Sequence, residues 1–512
     1  MGELLAGVDV GTTGVRCMLF DLQGTLVCSA YKEYGSTYLQ PGWVEQDYNV
    51  MISQTMAVCQ QVVDQAGGKS EEIASVGFSS QGLLTIPVDK RGELVRPLIS
   101  WQDVRPQSDM PDLLRRVSAD DYCKITGMPF IANAINAKIY WMRKHEPELY
   151  ERTDRFVQHQ GMILKSFGAE GYFTDLPCMS FYGVWNVHES CWSSQLLDRF
   201  EISQEQLDLP TQPGTQVGEI PPSVAEKTGF AVGTPICVGG LDQACSAVGM
   251  GSIEPGMATV NLGTAGTANL VVDKPTVPHS GLLCHHNAVD GLWTLLGGSL
   301  SAASCYRWFR DTIGTLESER AEQQGGNAYQ ALNDLAAQAP AGSQGLIFLP
   351  YLNSAGAPHW NSDARAAFIG LSMTHGRAEL TRSVMEGVAL DMHNIMMSWS
   401  RDATVVDKLR LGGGPTNSPL WNQIQADVYG RAVQLLKVEE TSVLGAAILG
   451  GVGAGVFSSV AEGVDSMVHV MSEIEPDLAN HRIYSEMYNA FTQAYEGLDQ
   501  NTFSILASLQ VN

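Results

Sequence analysis

The stretch Cys-Val-Gly-Gly-Leu-Asp-Gln-Ala-Cys-Ser-Ala-Val-Gly at 237–249 reads as a strand, a glycine bend and a helix of small residues whose first turn carries Asp242 and Gln243. A carboxylate fixed at a strand end suits a general base, and an adjacent amide suits a hydrogen bond to a hydroxyl. That pair fits phosphoryl transfer to an alcohol, in which the protein positions donor and acceptor, neutralises charge and takes up the hydroxyl proton. An Asp at a helix start also serves as an ordinary N-cap.

A second feature occurs twice. Gly-Val-Asp-Val-Gly-Thr-Thr-Gly-Val-Arg-Cys-Met-Leu-Phe-Asp at 7–21 and Thr-Val-Asn-Leu-Gly-Thr-Ala-Gly-Thr-Ala-Asn-Leu-Val-Val-Asp at 259–273 share five of fifteen positions. Each predicts a hairpin with a glycine-rich tip. At Gly11, Thr12 and Thr13, and again at Gly263, Thr264 and Gly266, main-chain N–H groups and hydroxyls could approach a polyphosphate without bulky side chains intervening. The strand before the first tip carries Asp9 where the second carries Asn261, so one lobe would hold a cation. Asp9 is the candidate for Mg²⁺, through its water shell, since a carboxylate beside phosphate needs a divalent ion between them. An Asp that caps its own turn is the alternative. Leu-Gly-Gly-Gly-Pro-Thr-Asn at 411–417 puts Gly412, Gly413 and Gly414 between a strand and a helix. There a flat base could lie, or the helix could simply pack closely on its strand.

Because one hairpin opens each half of the chain, the architecture expected is α/β, with two related lobes, 1–250 and 251–512, whose tips face a shared cleft. In the first half a strand is predicted over Thr25–Tyr34. A helix follows over Tyr48–Ala66, capped by Asp47, with Val50, Met51, Cys59, Val62 and Val63 on its apolar face and Gly67 at its end. Ile73–Phe78 should be a buried strand leading into a Ser-Ser-Gln-Gly loop at 79–82. The stretch 105–215 should build the substrate side. In the second half helices are predicted near Ala302–Ile313 and over Arg377–Trp399, strands over Gly345–Leu349 and Lys408–Leu411, and a helical tail after 480. His285-His286 and the Met392–Met397 run lack ligand or cofactor spacing and read as packing.

Bulk composition narrows the classes. The 512 residues exceed one core, which predicts two to three domains. No apolar run reaches the length of a membrane span, and the N-terminus has no secretory pattern, so a cytoplasmic protein without a membrane partner is expected. With 31 Lys+Arg against 55 Asp+Glu, a formal charge of -24 disfavours nucleic acid and anionic lipid. The 10 cysteines form no Cys-x-x-Cys pair and read as buried thiols.

Together these motifs resemble the FGGY carbohydrate kinases, which include xylulokinase, glycerol kinase, ribulokinase and autoinducer-2 kinase. Ala-Ala-Phe-Ile-Gly-Leu at 366–371, with Glu379-Leu380 and Val384-Met385-Glu386, resembles the family's C-terminal signature in full. Its N-terminal signature is matched in the second half, Lys138 to His145, with Ile135 where the family usually has Pro, Ser or Thr. The resemblance implies two actin-like ATPase (ribonuclease H-like) lobes with a nucleotide cleft between them. It implies ATP and Mg²⁺ as cofactors, with ATP held by Gly11, Thr12, Thr13, Arg16, Gly263, Thr264 and Arg307. Adenine would lie beside Gly412, Gly413, Gly414 and Asn417, with Asp242 as base and a homodimer as the assembly.

On the substrate side the implied residues are Gln81, Gly82, Leu83, Trp101, Asp103, Asp242 and Gln243. Xylulokinases carry Gln-Met-His and glycerol kinases Arg-Glu where this chain has Gln81-Gly82-Leu83, and the missing bulk would leave room for several substrates. Trp101-Gln102-Asp103 resembles the Trp-Asn-Asp element of xylulokinase-like members, whereas Leu444–Glu462 looks more like autoinducer-2 kinases. The expected substrate is a small sugar or polyol, first a ketopentose such as xylulose, with autoinducer-2, glycerol and erythritol as alternatives. An actin-like scaffold ATPase would share the nucleotide loops but has no need of Asp242-Gln243 with Trp101 and Asp103. A sugar sensor without catalysis would not need both Asp9 and Asp242.

Overall fold

The computed structural model describes residues 2–277, 281–399 and 406–510. Its first half is built on a six-stranded sheet in the order Gln216–Glu219, Pro235–Leu241, Ile73–Ser80, Leu4–Val10, Gly14–Asp21, Leu26–Glu33. The last three form an antiparallel meander, and Ile73–Ser80 and Pro235–Leu241 run parallel to Leu4–Val10. The second half repeats the plan in a seven-stranded sheet. Trp293–Ser299, Gly266–Val272 and Met257–Leu262 are antiparallel, and Lys408–Gly412 and Val433–Leu436 follow in parallel. This is the duplicated α/β plan of two related lobes that the paired hairpins predict. Register confirms the internal repeat: Asp9 pairs with Arg16 and Ser79, and Asn261 at the equivalent place pairs with Thr267 and Gly412.

Local signals act largely as expected. The helix Tyr48–Gln65 starts where Asp47 accepts hydrogen bonds from the N–H groups of Asn49 and Val50, and Gly67 follows it with φ of 72°. Val50 is 43% exposed, contrary to expectation, because the buried stripe runs through Met51, Thr55, Val58, Cys59 and Val62. Ser79 and Ser80, expected in a loop, continue the strand from Ile73, since Ser80 pairs with Val10 on one side and Leu241 on the other. His285 and His286 are buried, with Trp185 Nε1 donating to His286 Nε2 at 3.2 Å, and burial lowers both imidazoles to about 4. Met392 and Met396 are core residues. Cys17, Cys59, Cys178, Cys237, Cys245 and Cys305 are buried free thiols, Cys191 is an exposed one, contrary to expectation, and no described helix is long and apolar enough to cross a membrane.

One element crosses the expected division at 250. The helix Thr441–Gly453 belongs to the second half of the chain, yet it packs on the first sheet and on the helix Asp242–Gly249. Glycines bring the backbones together. A Cβ at Gly7 would lie 2.1 Å from the Val443 carbonyl oxygen, at Gly77 1.9 Å from that of Ala446, and at Gly445 1.8 Å from that of Cys245. Leu5, Met18 and Phe20 from the first sheet join Val443, Ala446, Ile448 and Leu449 in one apolar cluster, which ties the lobes together beneath the cleft.

In the second lobe the long helix Arg377–Trp399 is buried along most of its length. Its Glu386 is fully buried and accepts from Gly342 N–H at 2.9 Å, Ser343 Oγ at 2.7 Å, Arg382 Nε at 2.7 Å and Tyr484 Oη at 2.7 Å. Four donors account for the burial of that charge and mark it as structural.

Candidate active site

Asp242 owes its position to a bulge. The strand Pro235–Leu241 slips register against Ile73–Ser80 between Val238 and Gly240, and a Cβ at Gly239 would come within 2.2 Å of the Phe78 carbonyl oxygen. The helix Asp242–Gly249 begins immediately afterwards, with Asp242 Oδ1 accepting from its neighbour's N–H, that of Gln243, at 2.8 Å. Gln243 Oε1 is buried and has no hydrogen-bond partner among the described residues, which leaves an acceptor suited to a hydroxyl donor.

Asp9 lies across the cleft floor from this helix. Its Oδ1 accepts from Ser79 Oγ at 2.6 Å and its Oδ2 from Ser442 Oγ at 3.1 Å. Ser442 belongs to the crossing helix, which therefore reaches into the site. Asp9, Asp242, Gln243, Asn261, Gly263 and Glu440 line one cavity of about 280 Å³ at the second hairpin tip, which the first hairpin reaches through Asp9 on its leading strand. Burial raises the Asp9 carboxyl above its usual range. Burial, then the charge of Asp9, then that of Asp175 lift Asp242 to about 7. The oxygen donors around Asp9 are those a hard divalent cation prefers.

The other sequence candidates separate into distinct surroundings. Thr13, Gly263 and Thr264 are exposed at the tips. Gly11 N–H is held within its own turn by Gly14, and Gly263 N–H by the Ala265 carbonyl. Thr12 differs from expectation: its hydroxyl donates to Gln81 Oε1 at 3.0 Å and accepts from Trp101 Nε1 at 3.0 Å, so it braces the loops that carry Gln81 and Trp101. Arg16 is ion-paired with Glu440 and lies 5.0 Å from the Tyr31 ring centroid.

Two substrate-side expectations change. The Asp103 carboxylate is fully buried, bound at both oxygens by Arg105 and at Oδ2 by Val44 N–H, so it stands behind the cleft wall. Gly82 does not open extra room, since a Cβ there would sit 2.7 Å from Leu241 Cδ1 and 3.0 Å from Phe181 Cδ2. Those side chains fill the space.

Gly414 and Asn417 border a second cavity of about 380 Å³, with Tyr306, Asn327, Asn333 and Trp421. Gly413 lines the first cavity, and Gly412 is buried beneath it. The far wall comes from the helices Ala303–Thr312 and Ala328–Ala336, whose facing residues the sequence did not single out. Arg307, on the first of these, is exposed beside Asp311.

Residues 4–249 match the FGGY family of carbohydrate kinases, N-terminal domain, and residues 258–454 match the C-terminal domain. The chain belongs to the FGGY family of carbohydrate kinases. The xylulose kinase of Staphylococcus epidermidis is 26% identical over 506 residues, covering 98% of this chain and 99% of that relative. The gluconokinase of Bacillus subtilis is 27% identical over 462 residues, 90% of this chain and 89% of the other. The glycerol kinase of Solidesulfovibrio magneticus is 29% identical over 490 residues, with coverage of 94% and 95%. The ligand-bound xylulose kinase from Lactobacillus acidophilus shares the fold with a TM-score of 0.89 at 24% identity, covering 98% of this chain and 99% of that one.

For this FGGY kinase the charge pattern predicts a pH profile. A base must be ionised to accept a proton, so with Asp242, lifted to about 7, in that role kcat/KM should fall about tenfold per pH unit below that value and level off above it. Asp175→Asn removes one of the charges that raise Asp242 and should move the acid limb to lower pH. A wild-type limb near 4, the ordinary carboxylate value, would contradict this assignment.

Proposed function

We propose that this ATP-dependent sugar kinase phosphorylates a primary hydroxyl of a small neutral sugar, a ketopentose such as xylulose, with Asp242 as the general base. The observation that carries the reading is the placing of Asp242 beside Gln243 Oε1, an acceptor with no partner among the described residues, at one cavity. One substrate hydroxyl donating to Gln243 Oε1 would set a second, the reacting one, beside the Asp242 carboxylate that takes its proton. Thr13, Gly263 and Thr264 would bracket the phosphates, and the cavity beside Gly414, Asn417 and Trp421 would take adenine.

Asp9 would hold Mg²⁺, which supplies charge neutralisation between the phosphates when bound. Approach of the two lobes would exclude water that otherwise competes for the γ-phosphoryl group.

Charge favours a neutral sugar over an aldonate. The charges of Asp9 and Asp175 both act on Asp242, and burial lifts Asp175 to about 6. The ammonium of Lys138 is committed to two backbone carbonyls. A carboxylate substrate would therefore meet repulsion at the reacting end.

A coupled ADP-release assay with Mg-ATP tests the reading against D-xylulose, D-ribulose, L-ribulose, L-xylulose, glycerol, erythritol, 4,5-dihydroxy-2,3-pentanedione and gluconate. Strong stimulation by a ketopentose is the expected result. Stimulation by gluconate alone would overturn the neutral-substrate reading, and stimulation only by the pentanedione or a polyol would replace the ketopentose with that compound.

A further inference from the structure

Lys138 is fully buried in the helix Ile135–His145. An ammonium out of water is costly unless its donors are used, and an apolar residue would fill the same volume more cheaply. Here Nζ donates to the Leu83 carbonyl at 2.7 Å and to the Ser100 carbonyl at 2.8 Å. These oxygens belong to two loops far apart in sequence that converge on one point. Without a donor there, both would be buried acceptors lacking this partner.

The Leu83 bond has a further consequence. Leu83 has φ of 59°, the left-handed region that a branched side chain rarely occupies without compensation. Its neighbour Gly82 packs against Leu241 and Phe181, and Gln81 Oε1 accepts from Thr12 Oγ1. The second carbonyl, that of Ser100, immediately precedes Trp101, whose Nε1 meets Thr12 Oγ1. Asn133, just before the same helix, donates Nδ2 to the Trp101 carbonyl at 3.1 Å. One helix thus grips both loops through their backbones.

We infer that Lys138 is a positioning residue for the sugar: its ammonium clamps the backbone at Leu83 and Ser100 and so fixes the spacing of the Gln81–Leu83 and Trp101 walls. The inference rests on the reading that these loops hold the sugar. The surroundings are consistent with a clamp rather than an ion pair. Asp103, the acidic group that acts on Lys138, is itself bound to Arg105, and burial lowers the lysine to about 7 despite the charge of Asp103.

Lys138→Met tests the clamp by two routes. Thr85 N–H bonds to the Ile99 carbonyl, Ile99 N–H to that of Thr85, and Asp103 N–H to that of Ser100, so these amides report whether the loops separate. In the variant their hydrogen exchange should quicken by about tenfold, as expected for losing a charged hydrogen bond, while the strand Met257–Leu262 is unchanged. With the best substrate found for the wild type, the sugar KM should rise about tenfold or more and the ATP KM should not move. A wild type that no sugar stimulates identifies failure of the sugar reading. Unchanged exchange at the three amides overturns the clamp, and equal rises in both KM values or a general increase in exchange reduce Lys138 to a structural role. If Lys138→Met loses its cooperative melt, Lys138→Arg keeps charge and donors on a longer arm and should raise only the sugar KM; an unchanged sugar KM there also overturns the proposal.

Discussion

Asp242→Asn is expected to lower kcat by roughly 10²- to 10⁴-fold, the range of a general base, while nucleotide binding persists. The substitution isolates proton transfer from geometry. Asparagine has nearly the same shape, and its Oδ1 can still accept from Gln243 N–H, the bond that orients Asp242 at the helix start. The variant also removes a negative charge from a cavity that holds Asp9 and Glu440, so repulsion of the triphosphate decreases. Calorimetric titration with ATP should therefore show undiminished affinity, and the ADP-release assay should show the loss in turnover. Near-normal turnover would remove Asp242 from the role of base. Loss of both nucleotide binding and turnover, with an altered melt, would instead indicate that its negative charge supports the fold of the helix start.

The relation between sequence and site differs from residue to residue. The paired hairpins were legible because glycines at a tip and apolar residues on flanking strands are local requirements; which part of each hairpin borders the cavity was not, since Gly263 and Ala265 of the second tip line it whereas the first hairpin reaches it through Asp9. Asp242 was legible for the same reason, since a glycine bend between a strand and a helix announces where the next side chain must emerge. The cavity beside Gly414 and Asn417 was only half legible. Gly414 and Asn417 follow a strand, but Tyr306, Asn327 and Asn333 come from helices whose facing residues are chosen by tertiary packing. Asp103 shows the opposite case. An acidic residue beside a tryptophan suggested a substrate ligand, whereas Arg105, two residues later, takes its charge inside the protein. Lys138 occupied a family signature without an evident role, because its two acceptors are main-chain oxygens that no side-chain pattern records.

Gly445→Val is expected to destabilise the protein by about 3 kcal/mol, the upper part of the usual range for overpacking. The nearest atoms to a Cβ at 445 are the Cys245 carbonyl oxygen at 1.8 Å and its carbon at 2.6 Å, both backbone, so no side chain can rotate aside. Withdrawal of the helix is opposed elsewhere along its length, because Gly249 approaches the Thr441 carbonyl, Gly7 that of Val443 and Gly77 that of Ala446 with similar closeness. For a lobe of this size such a loss corresponds to a melting temperature lower by roughly 6–12 °C. Gly497→Ala is the internal control. It has nothing within 4 Å of its Cβ position and lies in the helix Leu478–Asp499, where alanine should stabilise. Activity should fall together with stability in the first variant alone. Ser442 reaches Asp9 from the displaced helix, and Ser246 Oγ meets Thr441 Oγ1 at 2.7 Å across the same seam. Moving the seam therefore moves Asp9 relative to Asp242. A Gly445→Val protein that melts like the wild type would show that the lobes can separate here without cost, and the helix would then be a sliding contact instead of a fixed one.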